Sequence, residues 1–92
     1  MPFLNDKRYA INSSWNAVAG VYGIFDAQSQ SIYIGKTDDL KRRMIQHMAD
    51  STHRMHQYKP SYLLFEHIAT EAERTTRETV LRREYHPLAD GL

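Results

Sequence analysis

The sequence contains no cysteine, and its 92 residues include only four glycines, three prolines and one tryptophan. Without cysteine, neither a disulfide framework nor a zinc site built from thiolates can form, and we expect an intracellular, cytoplasmic protein. A long apolar run is missing as well. The longest one, residues 17–25, is far shorter than the roughly 20 residues that a membrane-spanning helix needs, so we expect no membrane partner.

A large excess of one charge is also absent, because twelve basic residues nearly balance eleven acidic ones. Any attraction to a polyanion must therefore come from the local distribution of charge. Residues 36–59 carry six Lys or Arg against three Asp, a local charge of +3 that leaves −2 for the rest of the chain. A solvated charged face is one interpretation of this segment. The other is a surface that binds nucleic-acid phosphates through Lys36, Lys41, Arg42, Arg43, Arg54 and Lys59.

The hydrophobic and charged fractions, 41% and 25%, are those of an ordinary globular protein, and the length suits a single domain over residues 1–92. We interpret residues 1–16 as a lead-in of loop with at most one short helical turn, and residues 17–90 as the core. Apolar, β-forming segments at residues 17–25, 32–35 and 61–68 predict three strands.

Two helices complete the predicted fold. Thr37 or Asp38 can cap a first helix that ends near residue 50, and a second helix runs from Glu71 to Tyr85, where Pro87 follows. We therefore predict an α/β (α+β) domain in which a small three-stranded antiparallel sheet is flanked by helices, in the order β-β-α-β-α.

The first predicted helix carries an apolar stripe that we expect to face the core, formed by Leu40, Met44, Ile45 and Met48. Arg43 and His47 border this stripe and lie four residues apart, so they occupy adjacent turns of one face. Their guanidinium and imidazole groups could project toward a ligand from this packed edge. An ordinary helix flank explains the same spacing.

Glu78 places a carboxylate on the core side of the second predicted helix. Burying a carboxylate is costly unless it is paired or binds a cation, so a metal-binding role is one interpretation. The other is a surface ladder of ion pairs, because Arg74 and Arg82 lie four residues before and after it. A structural zinc site is a separate alternative, raised by His47, His53 and His56.

Two short motifs, Gly20-Val21-Tyr22 and Tyr33-Ile34-Gly35, resemble the signature strands of the GIY-YIG nuclease family. The resemblance extends over residues 17–90 and includes further positions at the family's spacing, namely Lys36, Leu40, Arg43, His47, Glu78 and Pro87. Two positions depart from the pattern: Val21 replaces an isoleucine, and Asp90 stands where many members have asparagine.

The resemblance implies a metal-dependent endonuclease that hydrolyses phosphodiester bonds by the attack of water, assisted by one metal ion. The family resemblance also favours DNA as the substrate. Glu78 would hold one divalent ion, Mg²⁺ or Mn²⁺, and Arg43 would bind the scissile phosphate. Tyr22 and Tyr33 would position the attacking water, with one of them or His47 as the base. The catalytic set that the resemblance implies is Tyr22, Tyr33, Lys36, Arg43, His47 and Glu78.

A catalytically inactive nucleic-acid-binding or interaction module of the same fold is the alternative function. Members of the family often carry a second domain that selects the target, and we expect no such domain in this chain. Recognition of the nucleic acid would then depend on the domain's own surface, on self-association or on a targeting partner protein.

Overall fold

The computed structural model describes residues 3–4, 7–11, 14–49 and 54–89, without the side chains of residues 54 and 55. Within these residues the chain forms four strands, two α-helices and one 3₁₀ helix. The elements in chain order are β1 (Tyr9–Ala10), β2 (Gly20–Phe25), β3 (Ser31–Thr37), α1 (Leu40–Ala49), the 3₁₀ helix (Arg54–Tyr58), β4 (Tyr62–His67) and α2 (Glu71–Tyr85). The strands form one antiparallel sheet in the order β1-β4-β2-β3.

The predicted order of three strands and two helices is confirmed, but the sheet has a fourth, very short strand. In β1, Tyr9 pairs with Leu63 and Ala10 with Tyr62. Two residues are too few to show the alternation by which a strand is recognised in a sequence. The partner strand also lies in the other half of the chain, so local sequence cannot reveal the pairing.

β2 is the centre of the sheet, because it pairs with β3 on one side and β4 on the other. All six of its residues are buried, which explains why its sequence is apolar without alternation. One sheet face packs Tyr22, Ile24 and Leu63 against Leu40 and Met44 of α1. The opposite face carries a second core cluster that includes Leu81 of α2. The sheet is therefore covered by a helix on each face.

The first helix begins at Leu40, and its cap is Asp39, not Thr37 or Asp38 as predicted. The Asp39 carboxylate accepts a hydrogen bond from the backbone N–H of Arg42 at 2.9 Å. Thr37 acts one step earlier, because its hydroxyl accepts from the N–H of Asp39 at 3.0 Å. The two side chains together fix the angle at which the chain passes from β3 into α1.

The predicted apolar stripe of α1 is wrong at two of its four positions. Leu40 and Met44 are buried, but Ile45 is 58% exposed and Met48 is 42% exposed. The third core-facing residue is His47, which is only 3% exposed. Positions 40, 44 and 47 follow the helical repeat, so the face turned toward the sheet includes a histidine that hydropathy alone would assign to the surface.

The outer edge of β3 is covered along part of its length. The backbone N–H groups of Leu88 and Ala89 donate to the carbonyls of Ser31 and Ile32, at 3.1 and 2.8 Å. Arg82 donates from Nε and Nη2 to the carbonyl of Ile34 at 3.3 and 3.2 Å. Edge-strand acceptors are thus satisfied by the segment after α2 and by one arginine side chain.

Glu66 and Arg77 join β4 to α2 through a largely buried ion pair. Arg77 donates from Nε and Nη2 to the two Glu66 carboxylate oxygens, both at 2.8 Å, and the N–H of Leu4 adds a third bond at 2.9 Å. Burial by itself raises the pKa of the Glu66 carboxyl, but these donors outweigh burial and lower it overall.

No helix among the described residues combines the length and the apolar character needed to cross a membrane.

We predict that Glu66→Gln lowers the free energy of unfolding by about 2 kcal/mol at neutral pH, because charged hydrogen bonds are lost. Since the folded pKa lies below the ordinary value of 4.5, the wild type loses this contribution as the pH falls through the folded value. Urea unfolding between acid and neutral pH should therefore show a flatter pH dependence for the variant. Glu73→Gln, at an exposed position of α2, is the control, and equal slopes for Glu66→Gln and wild type would contradict the prediction.

Candidate active site

The two motif tyrosines project from the sheet on the side of α1. Tyr22 of β2 pairs directly with Gly35 of β3, and Ile24 pairs with Tyr33, so all four lie on one face. A Cβ atom at position 35 would lie 2.6 Å from Tyr22 Oη and 2.9 Å from the Tyr33 ring. Gly35 therefore provides the room in which the two aromatic rings, with centroids 6.1 Å apart, sit together.

A buried hydrogen bond joins Tyr22 to α1. Tyr22 Oη lies 2.7 Å from His47 Nε2, and Arg43 Nε donates to the same oxygen at 3.3 Å. Tyr22 is fully buried, and burial raises the pKa of its phenol, with the neighbouring Tyr33 adding to the effect and Arg43 opposing it. Tyr22 is therefore a neutral hydroxyl that orients its two partners.

Arg43 connects this buried hydrogen bond to the protein surface. Its hydrogen bond to Tyr22 comes first among the causes that raise the pKa of its guanidinium, and Tyr33 contributes in the same direction. Arg43 consequently stays positively charged beside both tyrosines. Tyr33 is only partly buried, and its ring centroid lies 5.4 Å from that of His47. The family resemblance implied that these four residues belong to one catalytic set, and the structure brings them together.

Lys36 lies on the opposite face of β3, toward α2. Its ammonium group forms an ion pair with Glu71 and donates to Thr75 Oγ1 at 2.8 Å. The Lys36 side chain is therefore anchored to α2 by two contacts. The two faces of β3 present Tyr33 to the α1 side and Lys36 to the α2 side, so both helices contribute to the candidate site.

Glu78 contributes a carboxylate from α2, and its side chain is 14% exposed. Of the predicted ladder, the pair with Arg82 exists at a long 3.8 Å, whereas Arg74 binds Glu71 and the carbonyls of Ile68 and Ala69. The negative charge of Glu78 is among the factors that raise the pKa of Tyr22. A carboxylate that is mostly buried, loosely paired and close enough to act on Tyr22 suits a hard divalent cation.

The zinc alternative finds no support in the described residues, among which no group of three or more His, Asp or Glu side chains could hold a metal ion. His53 lies outside the described residues, as does Asp90. His56 instead donates from Nε2 to the carbonyl of His47 at 2.8 Å, and this bond fastens the end of α1. The sequence patterns gave His56 no such role, because the contact joins residues nine positions apart in two different helices.

A polar cleft of about 320 Å³ opens beside Arg43, and we call it the basic cleft. Its charged lining consists of Lys36, Asp38, Arg42, Arg43, Glu71 and Arg74. Of the other predicted phosphate-binding residues, Lys41 and Lys59 are exposed but do not line it, and the side chain of Arg54 is outside the described part. The sequence did not predict that Glu71 and Arg74 line this cleft, since no motif marks them. A larger, mostly apolar cavity between β4 and α2 lies away from these residues.

Comparison with known proteins gives one family and one set of structures. The model of the GIY-YIG catalytic domain matches residues 18–89. Similar solved structures include three of the GIY-YIG N-terminal endonuclease domain of UvrC from Thermotoga maritima. Two are point variants bound to the catalytic divalent cation, and the third is bound to magnesium. Their TM-scores are 0.73, 0.72 and 0.72, with identities of 23%, 25% and 23%. The alignments cover 84%, 84% and 82% of this chain and 87%, 87% and 85% of those chains. No curated protein matches the sequence significantly.

We predict that Tyr22→Phe lowers the free energy of unfolding by about 1 to 3 kcal/mol, because buried His47 Nε2 loses the hydroxyl beside it. Tyr33→Phe is the matched control, since it removes the same atom from a partly exposed ring. Thermal or urea unfolding of the two variants checks the difference. Equal losses of stability would show that the Tyr22 hydrogen bond is not a distinctive support of the site.

Proposed function

Because the chain belongs to the GIY-YIG catalytic domain family, we propose that it is a metal-dependent endonuclease that hydrolyses phosphodiester bonds in DNA. The observation that carries the proposal is the buried Tyr22–His47 hydrogen bond, which holds Arg43 beside Tyr33. This arrangement is fixed by packing before any substrate arrives. The UvrC domains that share the fold are endonuclease domains with a catalytic divalent cation, in agreement with this chemistry.

Arg43 is the proposed ligand of the scissile phosphate. Its guanidinium is always charged and presents several N–H donors in a plane, a geometry that suits a phosphate oxygen pair. The guanidinium is held by Tyr22 at Nε and by a further hydrogen bond with Tyr33, and it lines the basic cleft, from which the substrate would approach. Tyr22 and His47 thus act as positioning residues for Arg43.

Tyr33 is the proposed residue that orients the attacking water and accepts its proton. Both motif tyrosines are candidates by sequence, but Tyr22 is fully buried and its phenol has a raised pKa. Tyr33 is only partly buried and lies beside Arg43, so it is the motif tyrosine that solvent can reach. The imidazole of His47 contacts both tyrosine rings and so helps to hold them in position.

Glu78 is the proposed protein ligand of one Mg²⁺ or Mn²⁺ ion. Oxygen ligands suit these hard cations, which bind through one or two carboxylates together with water and phosphate oxygens. When bound, such an ion stabilises the negative charge that develops on the phosphate and the leaving oxygen. A single carboxylate agrees with the described residues, where no cluster of three metal-ligating side chains occurs.

Incubation of the purified protein with end-labelled single-stranded DNA, duplex DNA, forked DNA and RNA tests the proposal. Each substrate is combined with Mg²⁺, Mn²⁺ or EDTA. Cleavage that needs the metal and is strongest on one DNA form would support it, and the preferred form would define the substrate. Binding without cleavage of any substrate would instead favour the inactive nucleic-acid-binding module.

We predict that Arg43→Ala lowers the cleavage rate by about 10²- to 10³-fold, as expected when a donor to the developing negative charge is removed. Arg83→Ala, at an exposed position of α2, removes the same charge and should have little effect. Single-turnover cleavage and circular dichroism are measured for both variants. A folded Arg43→Ala protein that cuts at the wild-type rate would contradict the assignment.

We predict that Glu78→Gln loses metal-dependent cleavage by several orders of magnitude while DNA binding in EDTA persists or tightens slightly. Glu73→Gln is the control on the same helix. If Glu78 served only the pair with Arg82, stability would fall by no more than about 1 kcal/mol and cleavage would continue. Cleavage, binding and melting temperature measured on one preparation separate the two outcomes.

A further inference from the structure

The basic cleft carries more positive charge than one scissile phosphate requires. Its lining includes four cations and two carboxylates, which leaves a local charge of +2 in about 320 Å³. One of the four cations is Arg43, whose guanidinium also contacts the Tyr22 hydroxyl. Lys36 and Arg42 extend the positive surface away from the tyrosines, and neither bonds to the Tyr22 hydroxyl.

Carboxylates inside the same cleft pair with these two additional cations. Lys36 binds Glu71, and Arg42 binds Asp38. The two acids are well exposed, with side-chain exposures of 64% and 65%, so their ion pairs are weak and open to competition from solvent and anions. The adjacent cations hold the pKa of both carboxyls below its usual range, so both are charged at neutral pH.

The fourth cation, Arg74, keeps Glu71 and the cleft wall in place. Its side chain is 8% exposed and donates to the carbonyls of Ile68 and Ala69 as well as to Glu71. The cleft is therefore a preformed polar cavity with one buried, immobilised cation and two further cations whose partners are solvent-exposed carboxylates. Its charge complements an anion that carries oxygen acceptors.

We propose that the basic cleft binds a second backbone phosphate of the nucleic acid, adjacent to the phosphate that Arg43 holds, and that Arg42 and Lys36 exchange their contacts with Asp38 and Glu71 for contacts with this phosphate. This inference rests on the proposed function, because it assigns the neighbouring phosphate of the same strand. Arg43 lines both the tyrosine cluster and the cleft, so the two phosphate positions are contiguous. Asp38 and Glu71 then act as internal competitors that weaken binding to all nucleic acids.

Matched variants test the proposal with a fluorescein-labelled single-stranded oligodeoxythymidylate in EDTA, where no cleavage occurs. Arg42→Gln should weaken binding about tenfold and reduce the salt slope by about 1. Arg83→Gln is its control, because it removes the same charge from an exposed position of α2 outside the cleft. Its effect should be clearly smaller.

Removal of a carboxylate from the cleft should change the affinity in the opposite direction. Glu71→Gln should tighten binding of the same probe, because Lys36 no longer has a competing anion. Glu73→Gln is the control, since it removes the same charge from the first turn of α2 but lines the cavity on the other side of that helix. Equal effects of the two substitutions would overturn the proposal, as would an absence of any binding of the probe.

Unlabelled thymidine dinucleotide and trinucleotide, with one and two phosphodiesters, then compete against the probe. The second phosphodiester should improve competition about tenfold for the wild type and for Arg83→Gln, but not for Arg42→Gln. A gain that persists in Arg42→Gln would overturn the assignment. If the wild type cuts DNA but the matched variants do not differ, this inference fails alone. If the variants differ but no substrate is cut, the proposed nuclease activity fails alone.

Discussion

The hydrogen bond between Tyr22 Oη and His47 Nε2 is the interaction on which the arrangement of the site depends. It joins the central strand to α1 inside the core, and its atoms must remain paired because an unpaired buried polar group is costly. The requirement fixes the rotation of α1 about its own axis. Arg43, one turn earlier on the same helix, is thereby directed at the two tyrosines, so one contact serves both the packing of α1 and the geometry of the candidate site.

The edge position of β3 explains how residues from both layers reach one site. A strand inside a sheet would separate the α1 side from the α2 side, but at the edge the side chains of Tyr33 and Lys36 lie on either side of a single backbone. Gly35 lies between them and leaves room for the Tyr22 ring. The helices then add Arg43 from one layer and Glu78 from the other.

Sequence patterns predicted the main elements, and the family resemblance implied one catalytic set that includes Tyr22, Tyr33, Arg43 and His47, which the structure brings together. The patterns failed where a polar residue replaces an apolar one in the core: His47 faces the sheet, and Ile45 is exposed. A hydropathy pattern cannot register a burial that depends on a hydrogen bond from another element. The ion pair of Lys36 with Glu71 spans 35 residues, and such partners are specified by topology, which local sequence does not contain.

The covered edge of β3 also affects how this protein can meet other copies of itself. Exposed edge strands are the usual starting points for intermolecular sheet formation and for amyloid-like aggregation. Here the carbonyls of Ser31, Ile32 and Ile34 already accept hydrogen bonds from within the chain. Growth of a continuous intermolecular sheet through this edge is therefore disfavoured, and the strand that carries Tyr33 and Lys36 is protected from being sequestered by a second molecule at high concentration.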